Sequence, residues 1–291
     1  MPKPRELRRR IKSVQNTRKI TRTMELVATS KLKRAQDRVI AARPYAAALA
    51  EVLAELYAPE LAERFPLLRQ PRGAGRVALV VVTSNRGLCG AFNANLIREA
   101  RRRIEQLEAQ GTSVDLHLIG KKGITYFKFA KWPLASQRTD IGDKPTAAQA
   151  ADVVAPLMAQ FESGAVDGVD VVFSQFKSAV STPPTVARIL PVEPRAAAPG
   201  TVGASHNYIL KPSAEAILAQ LLPLYVQNQV YRALVETAAA FLGAQRTAMK
   251  NATDNAGDIL DLLQRTFNRA RQAQITQELA EIVGGAEALK G

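Results

Sequence analysis

From Arg5 to about Tyr57 the chain carries no glycine and a single proline, Pro44. Its apolar residues recur at intervals of three or four: Leu7, Ile11 and Val14, then Ile20, Met24 and Val27. That spacing puts them on one face of an α-helix and predicts one very long helix, with a bend point at Pro44, where a backbone donor is missing. At 1.5 Å per residue such a helix would extend roughly 80 Å.

After the breakers Pro66, Pro71, Gly73 and Gly75 the period changes. Val77 to Thr83, Val114 to Ile119, Val169 to Phe176 and Thr185 to Val192 read as strands, with helices near 91–110 and 146–162. Strands and helices in alternation predict a layered α/β domain with a mainly parallel sheet. The segment Ala196 to His206, with Pro199, Gly200 and Gly203, reads as a loop leaving that domain.

From Ser213, a helix N-cap after Pro212, helical periodicity returns and runs to about Val283, weakly interrupted at Pro223, Gly243 and Gly257. Met249, Ala252, Ala256, Ile259 and Leu263 alternate in steps of three and four, with Ala270 one heptad beyond Leu263. This is a coiled-coil seam, and the Ile20, Met24, Val27 stripe is an available partner for it. A straight helix of that length would run roughly 105 Å. Neither helix is stable alone in water without burying its stripe, and an intervening compact domain can return the chain so that the two pair antiparallel. The expected fold is α/β: a long antiparallel coiled coil of the N- and C-terminal helices plus a Rossmann-like α/β domain with a mainly parallel sheet. The expected divisions are 1–58, 76–205 and 213–285.

Composition supports helix over a large aromatic core: 47% of residues are hydrophobic but only 5% aromatic. Cys89 is the one cysteine, and charged residues begin at Lys3 with no apolar stretch of secretory type, which predicts a reducing, cytoplasmic setting. The longest apolar run, Val77 to Val82, is far short of the roughly 20 residues that span a bilayer, so membrane association is expected to be peripheral. Much of the net charge of +14 sits at the start: residues 1–43 hold fourteen Lys or Arg against Glu6, Glu25 and Asp37. Such a block expects an acidic partner, whether nucleic acid, a membrane surface or carboxylates on a protein.

The loop Thr83-Ser84-Asn85-Arg86-Gly87-Leu88-Cys89-Gly90 follows a strand and precedes a helix, where α/β folds bind phosphates. It lacks both the G-x-G-x-x-G spacing and the Lys-Ser or Lys-Thr ending of a P-loop. Gly120-Lys121-Lys122-Gly123 has no hydroxyl residue after its lysines and reads as a strand-to-helix turn. Neither His117 nor His206 is near Cys89 in sequence, which favours a structural or contact role for the thiol. Two histidines and one cysteine make no zinc constellation. Asp140, Asp143, Asp167 and Asp170 lie at loop and strand-end positions. The cations of the first helix surround it instead of forming one stripe, and no aromatic precedes Tyr45, which disfavours nucleic acid. Residues alone leave three readings open: a partner-binding rod, a basic nucleic-acid-binding coiled coil, and a nucleotide-using enzyme on the α/β domain.

Three blocks resemble the gamma subunit family of F-type ATP synthases. They are Ile11-Lys-Ser-Val-Gln-Asn-Thr-Arg-Lys-Ile20 with Met24-Glu-Leu-Val-Ala-Thr-Ser-Lys31; the Thr83 to Gly90 loop; and Ala248-Met-Lys-Asn-Ala-Thr-Asp-Asn-Ala256 with Arg271-Gln-Ala-Gln-Ile-Thr-Gln-Glu-Leu279. The resemblance implies a non-catalytic rotor shaft, with no cofactor or metal, at the cytoplasmic face of a bacterial inner membrane. Its terminal helices would stand inside a hexameric ring of alpha and beta subunits, and its lower part would meet the epsilon subunit and the membrane c-ring. Proton or sodium flow would turn it, forcing the beta sites in turn through different nucleotide affinities. By motif position, Arg271 and Gln272 would bond a catalytic-subunit loop, with Gln272 and Thr276 close to the first helix around Met24. Arg246 is the corresponding basic residue of the lower coil, and Arg86 and Cys89 would lie near an acidic beta-subunit loop. Tyr208 and Lys211 would face the rotor ring. Asn85 stands where the family often has Asp and Lys211 where some relatives have Glu, which predicts a ring contact of reversed or relocated polarity.

Overall fold

The computed structural model describes residues 4–56, 64–70, 75–193 and 213–288. The first helix, α1, spans Pro4–Leu56 and continues through Pro44; the last, α5, spans Ala214–Ala288 and continues through Pro223, Gly243 and Gly257. Ser213 begins α5 as a cap, its Oγ accepting from the Ala216 amide at 3.2 Å. The chain divides into two compact units.

One unit, Thr29–Ala244, holds a five-stranded sheet. Its strands are β1 (Arg76–Val82), β2 (Ser113–Ile119), β3 (Ser136–Arg138), β4 (Gly168–Ser174) and β5 (Pro184–Leu190). The order is β3-β2-β1-β4-β5, parallel except for antiparallel β5. Three shorter helices complete it: α2 (Phe92–Ala109), α3 (Lys121–Phe129) and α4 (Ala147–Glu162), the last begun by a capping box between Thr146 and Gln149. The alternation of β1 builds both cores. Ala78, Val80 and Val82 face a core with α4 and residues 218–234 of α5, while Leu79 and Val81 face one with α2, α3 and Leu32, Ala35 and Val39 of α1. A strand buried on both faces reads as a continuous apolar run, as Val77 to Val82 does.

Gly243 interrupts the helical pattern because of close approach: a Cβ there would lie 3.1 Å from the Ala179 carbonyl oxygen. Within the sheet, Asp170 of β4, only 1% exposed, accepts from Arg103 Nε and Nη2 at 2.8 and 2.6 Å and from Arg188 Nε of β5 at 2.7 Å. That carboxylate raises the Arg188 pKa, chiefly through the hydrogen bond. Asp170 is thus a buried structural anion and not the strand-end position expected from its neighbours.

The other unit comprises Met1–Ala28 and Gln245–Gly291, and its described part is a pair of helical segments. Arg8 lies over the Phe267 ring at 5.7 Å, the Arg18 guanidinium lies against Gly257, and Thr253 meets Thr21 at 2.8 Å. The pairing is therefore antiparallel. In this unit the buried positions on α5 are Met249, Thr253, Ala256, Leu260 and Ala270, and half-buried Leu263 and Phe267 complete an alternation of four and three. Its seam shifts the expected one: buried Thr253 and Leu260 stand in place of Ala252, which is half-buried, and Ile259, which is 48% exposed. In the part of α1 that belongs to this unit the buried positions are Leu7, Thr21, Glu25 and Ala28, with Ile11, Val14 and Met24 half-buried. Ile20 and Val27, expected in the stripe, are 60% and 50% exposed. Apolar spacing failed here because the seam passes through polar residues.

Candidate functional site

The loop after β1 is held from several sides. Thr83 Oγ1 is buried and lies 3.0 Å from the Ile119 carbonyl while accepting from the Gly123 amide at 3.0 Å, which joins the ends of β1 and β2 to the start of α3. Gly120, at φ +98°, must be glycine, since a Cβ would sit 2.2 Å from the Thr83 carbonyl oxygen. Asn93 accepts from the Ser84 amide at 3.1 Å, and its own Nδ2 approaches Cys89 Sγ at 3.3 Å.

Asn85 has a role that its place in the motif does not reveal. Its Nδ2 donates to the carbonyls of Thr139 and Ile141 at 2.9 and 3.0 Å, and its Oδ1 accepts from the Lys121 amide at 2.9 Å. Aspartate, acceptor-only when ionised, could not make the first two bonds. The amide therefore ties the loop both to the 139–143 segment and to the start of α3.

Asp143 gathers the cations around that segment. Its carboxylate pairs with Arg86 and, at 3.6 Å, with Lys31, and its carbonyl accepts from Arg38 Nη1 at 3.1 Å. Arg86 also lies over the Phe241 ring at 5.8 Å, so its guanidinium is oriented before any partner arrives. Asp143 was read only as a loop residue. No sequence signal marks it, because its cationic partners lie 57 residues before it or on α1.

Cys89 is 4% exposed, and burial raises its thiol pKa, so it is poorly suited to nucleophilic chemistry. Beside it Leu88 takes a positive φ of 60° and is 61% exposed, a strained apolar residue at the tip of an otherwise braced loop. Among the described residues no group of His, Cys, Asp or Glu could hold a metal ion, and no helix is long and apolar enough to cross a membrane.

The helical unit presents the other expected positions. Met24 and Arg246 are half-buried, and Arg271, Gln272 and Thr276 are exposed, Thr276 Oγ1 donating to the Gln272 carbonyl at 3.0 Å. The antiparallel register overturns one expectation. With Thr21 at Thr253 and Arg8 at Phe267, Met24 lies opposite residues near Lys250, whereas Gln272 and Thr276 lie more than a dozen residues further along α5. Every residue from Arg271 to Ala286 is exposed. Tyr208 and Lys211 lie outside the described residues.

This unit exposes apolar side chains in quantity. Ile20, Leu26 and Val27 on α1, and Leu262, Ile275, Leu279, Ile282 and Val283 on α5, are each at least 49% exposed. Exposed aliphatics in such concentration are unusual on the surface of a self-contained fold.

The fold has counterparts among solved rotor assemblies. A chain of the Euglena gracilis mitochondrial ATP synthase assembly of OSCP, F1 and c-ring superposes with a TM-score of 0.68 at 20% identity, covering 98% of this chain and 94% of that one. A chain of the Tetrahymena thermophila mitochondrial ATP synthase central stalk and c-ring gives 0.60 at 22% identity, over 80% of this chain and 99% of that one. The class is that of ATP synthase stalk folds. A family model described as ATP synthase matches residues 3–289. The ATP synthase gamma chain of Gemmatimonas aurantiaca is 62% identical over 292 residues, covering 100% of both chains, and that of Leptospira biflexa is 42% identical over 290, covering 99% of this chain and 100% of the other. The chain belongs to the ATP synthase gamma chain family.

Proposed function

We propose that this chain is the central rotor shaft of an F-type ATP synthase, a non-catalytic subunit that couples proton or sodium flow through a membrane rotor ring to ordered changes at the catalytic beta subunits. The observation that carries the reading is the helical unit, whose seam is packed while its aliphatic residues face outward. A shaft needs both properties. A close-packed seam resists shear and so transmits torque, and an outward apolar surface can slide against a surrounding ring of alpha and beta subunits without binding one orientation through fixed ion pairs.

The shaft must also be asymmetric. Three identical sites around a threefold-symmetric shaft would be biased equally, whereas a single antiparallel pair presents a different face to each and orders them in sequence. In this reading Met24, Arg246, Arg271, Gln272 and Thr276 meet the ring. Arg86 and Cys89 lie near an acidic beta-subunit loop, Arg86 by direct contact and buried Cys89 by supporting the Thr83 to Gly90 loop from beneath. The segment with Tyr208 and Lys211 meets the c-ring, with epsilon as neighbour. The functional divisions are 1–58, 76–205 and 213–285, at the cytoplasmic face of the inner membrane and peripheral to it. Reconstitution with purified alpha and beta subunits tests this: the chain should be required for cooperative ATP hydrolysis by the ring. Equal hydrolysis by the ring without it overturns the assignment.

A further inference from the structure

Helices α2 and α3 lie side by side and leave between them an open groove of about 810 Å³. Each helix lines it with residues four apart: Ala94, Arg98 and Arg102 on α2, and Lys121, Thr125 and Phe129 on α3. Rows at that spacing on two neighbouring helices form the ridges between which a third helix packs. From Asn93 to Glu105 the α2 wall runs about 18 Å, room for roughly three turns of such a helix.

Two features go beyond shape. Phe129 is 87% exposed, an aromatic ring standing at the groove with nothing over it among the described residues. The rim is strongly cationic. Glu105 is the one carboxylate in the lining and is already engaged by Arg101 at 3.5 Å, whose Nη1 also reaches across to the Tyr126 hydroxyl at 3.5 Å. Among the described residues Arg98, Arg102, Lys121 and Lys122 have no ion-pair partner. Four cations without counter-charges around an aromatic anchor specify the occupant's chemistry: carboxylates on its flanks and aliphatic side chains on the face it presents.

We infer that the α2–α3 groove is a docking site for an acidic amphipathic helix of a partner protein. An anionic bilayer would match the charge but is flat, whereas the rows enclose a trough.

The test is a titration of the full-length chain, by fluorescence anisotropy, with a labelled and helix-stapled peptide bearing Leu at every third and fourth position and Glu elsewhere. Its counterpart with Lys for Glu is the control. The expected result is saturable binding of the acidic peptide alone, weakened at least tenfold by Phe129→Ala and by Lys121→Glu, and weakened at least tenfold between 50 and 200 mM salt. Phe129 and Lys121 are exposed, so unchanged thermal melting will verify that both variants fold. Absence of binding, or binding that neither variant alters, overturns the inference. So does tighter, variant-sensitive binding of phosphatidylglycerol vesicles or of ATP in parallel titrations, which would assign the groove to a lipid surface or a nucleotide.

Discussion

The two units of this chain distribute their hydrophobic residues in opposite ways. In the sheet unit Val77 to Val82 are at most 5% exposed, and Phe127, Phe161 and Leu157 are sealed beside them. In the helical unit the seam is made in large part of small or polar residues, Thr21, Glu25, Ala28, Thr253, Ala256 and Ala270, while Ile20, Val27, Leu262 and Ile282 look outward. Large aliphatics stabilise by leaving water. The sheet unit therefore completes its own core, and the helical unit leaves its largest apolar area for another protein to bury. In the proposed reading the helical unit is half of an interface, whereas the sheet unit buries its main core by itself and leaves only scattered apolar residues such as Leu88 and Phe129 exposed.

If the sheet unit is self-sufficient, its stability will break at its own buried groups. Asp170→Ala leaves Arg103 and Arg188 facing each other without the carboxylate between them. The expected loss is about 3–5 kcal/mol, read from urea unfolding of the isolated chain. Asn85→Asp removes two donated hydrogen bonds and sets a carboxylate against two carbonyls, with an expected loss of about 1–3 kcal/mol by the same measurement.

The helical unit should respond more gently. Thr253 donates to the Thr21 hydroxyl at 2.8 Å, and that hydroxyl lies 3.1 Å from the Arg18 carbonyl. Thr21→Val leaves Thr253 beside the Met249 carbonyl at 2.8 Å, so no buried group is orphaned. Each single substitution to Val should cost about 0.5–1.5 kcal/mol, and a double-mutant cycle should give a coupling of similar size. A coupling near zero would show that packing alone, without the hydroxyl pair, sets the register there.

The smallest effect concerns His117. Its Nδ1 lies 2.7 Å from Ser136 Oγ, its buried Nε2 has no partner among the described residues, and burial lowers its pKa against the weaker opposing pull of Asp115. A lowered pKa means that the unfolded chain binds the proton more readily, so stability rises with pH. The contribution is complete above the ordinary histidine value near 6.5 and declines as pH falls below it towards the folded-state pKa. His117→Gln should flatten that part of the stability profile, measured by urea midpoints between pH 5 and pH 7.5.

Helix extents and the main strands were legible because glycine, proline and apolar period mark them: expectations of 5–57 and 213–283 stand beside helices of 4–56 and 214–288. β3 was not legible, since Ser136, Gln137 and Arg138 carry no apolar alternation and are placed only by pairing with β2. Nor was the seam. Counting apolar residues selected Ile20, Val27 and Ile259, which are exposed, over Thr21, Glu25 and Thr253, which are buried. Where a surface is made for a partner, the hydrophobic pattern reports that partner's side as well as the chain's own core. In the loop after β1, Arg86 was legible from its motif, but Asn85 and Asp143 were not, because their partners lie more than 50 residues away or arrive from α1.

The central claim is that the helical unit turns as one packed body inside a ring of catalytic subunits. It is tested most directly by immobilising a reconstituted ring of alpha and beta subunits, attaching a bead to the sheet unit of this chain, and recording the bead as ATP is hydrolysed. Three catalytic sites addressed in order predict unidirectional rotation in steps of one third of a turn, retained when Thr21→Cys and Thr253→Cys are joined by a disulfide across the seam. ATP hydrolysis at full rate with the bead stationary, or rotation that stops when the seam is locked, would contradict it.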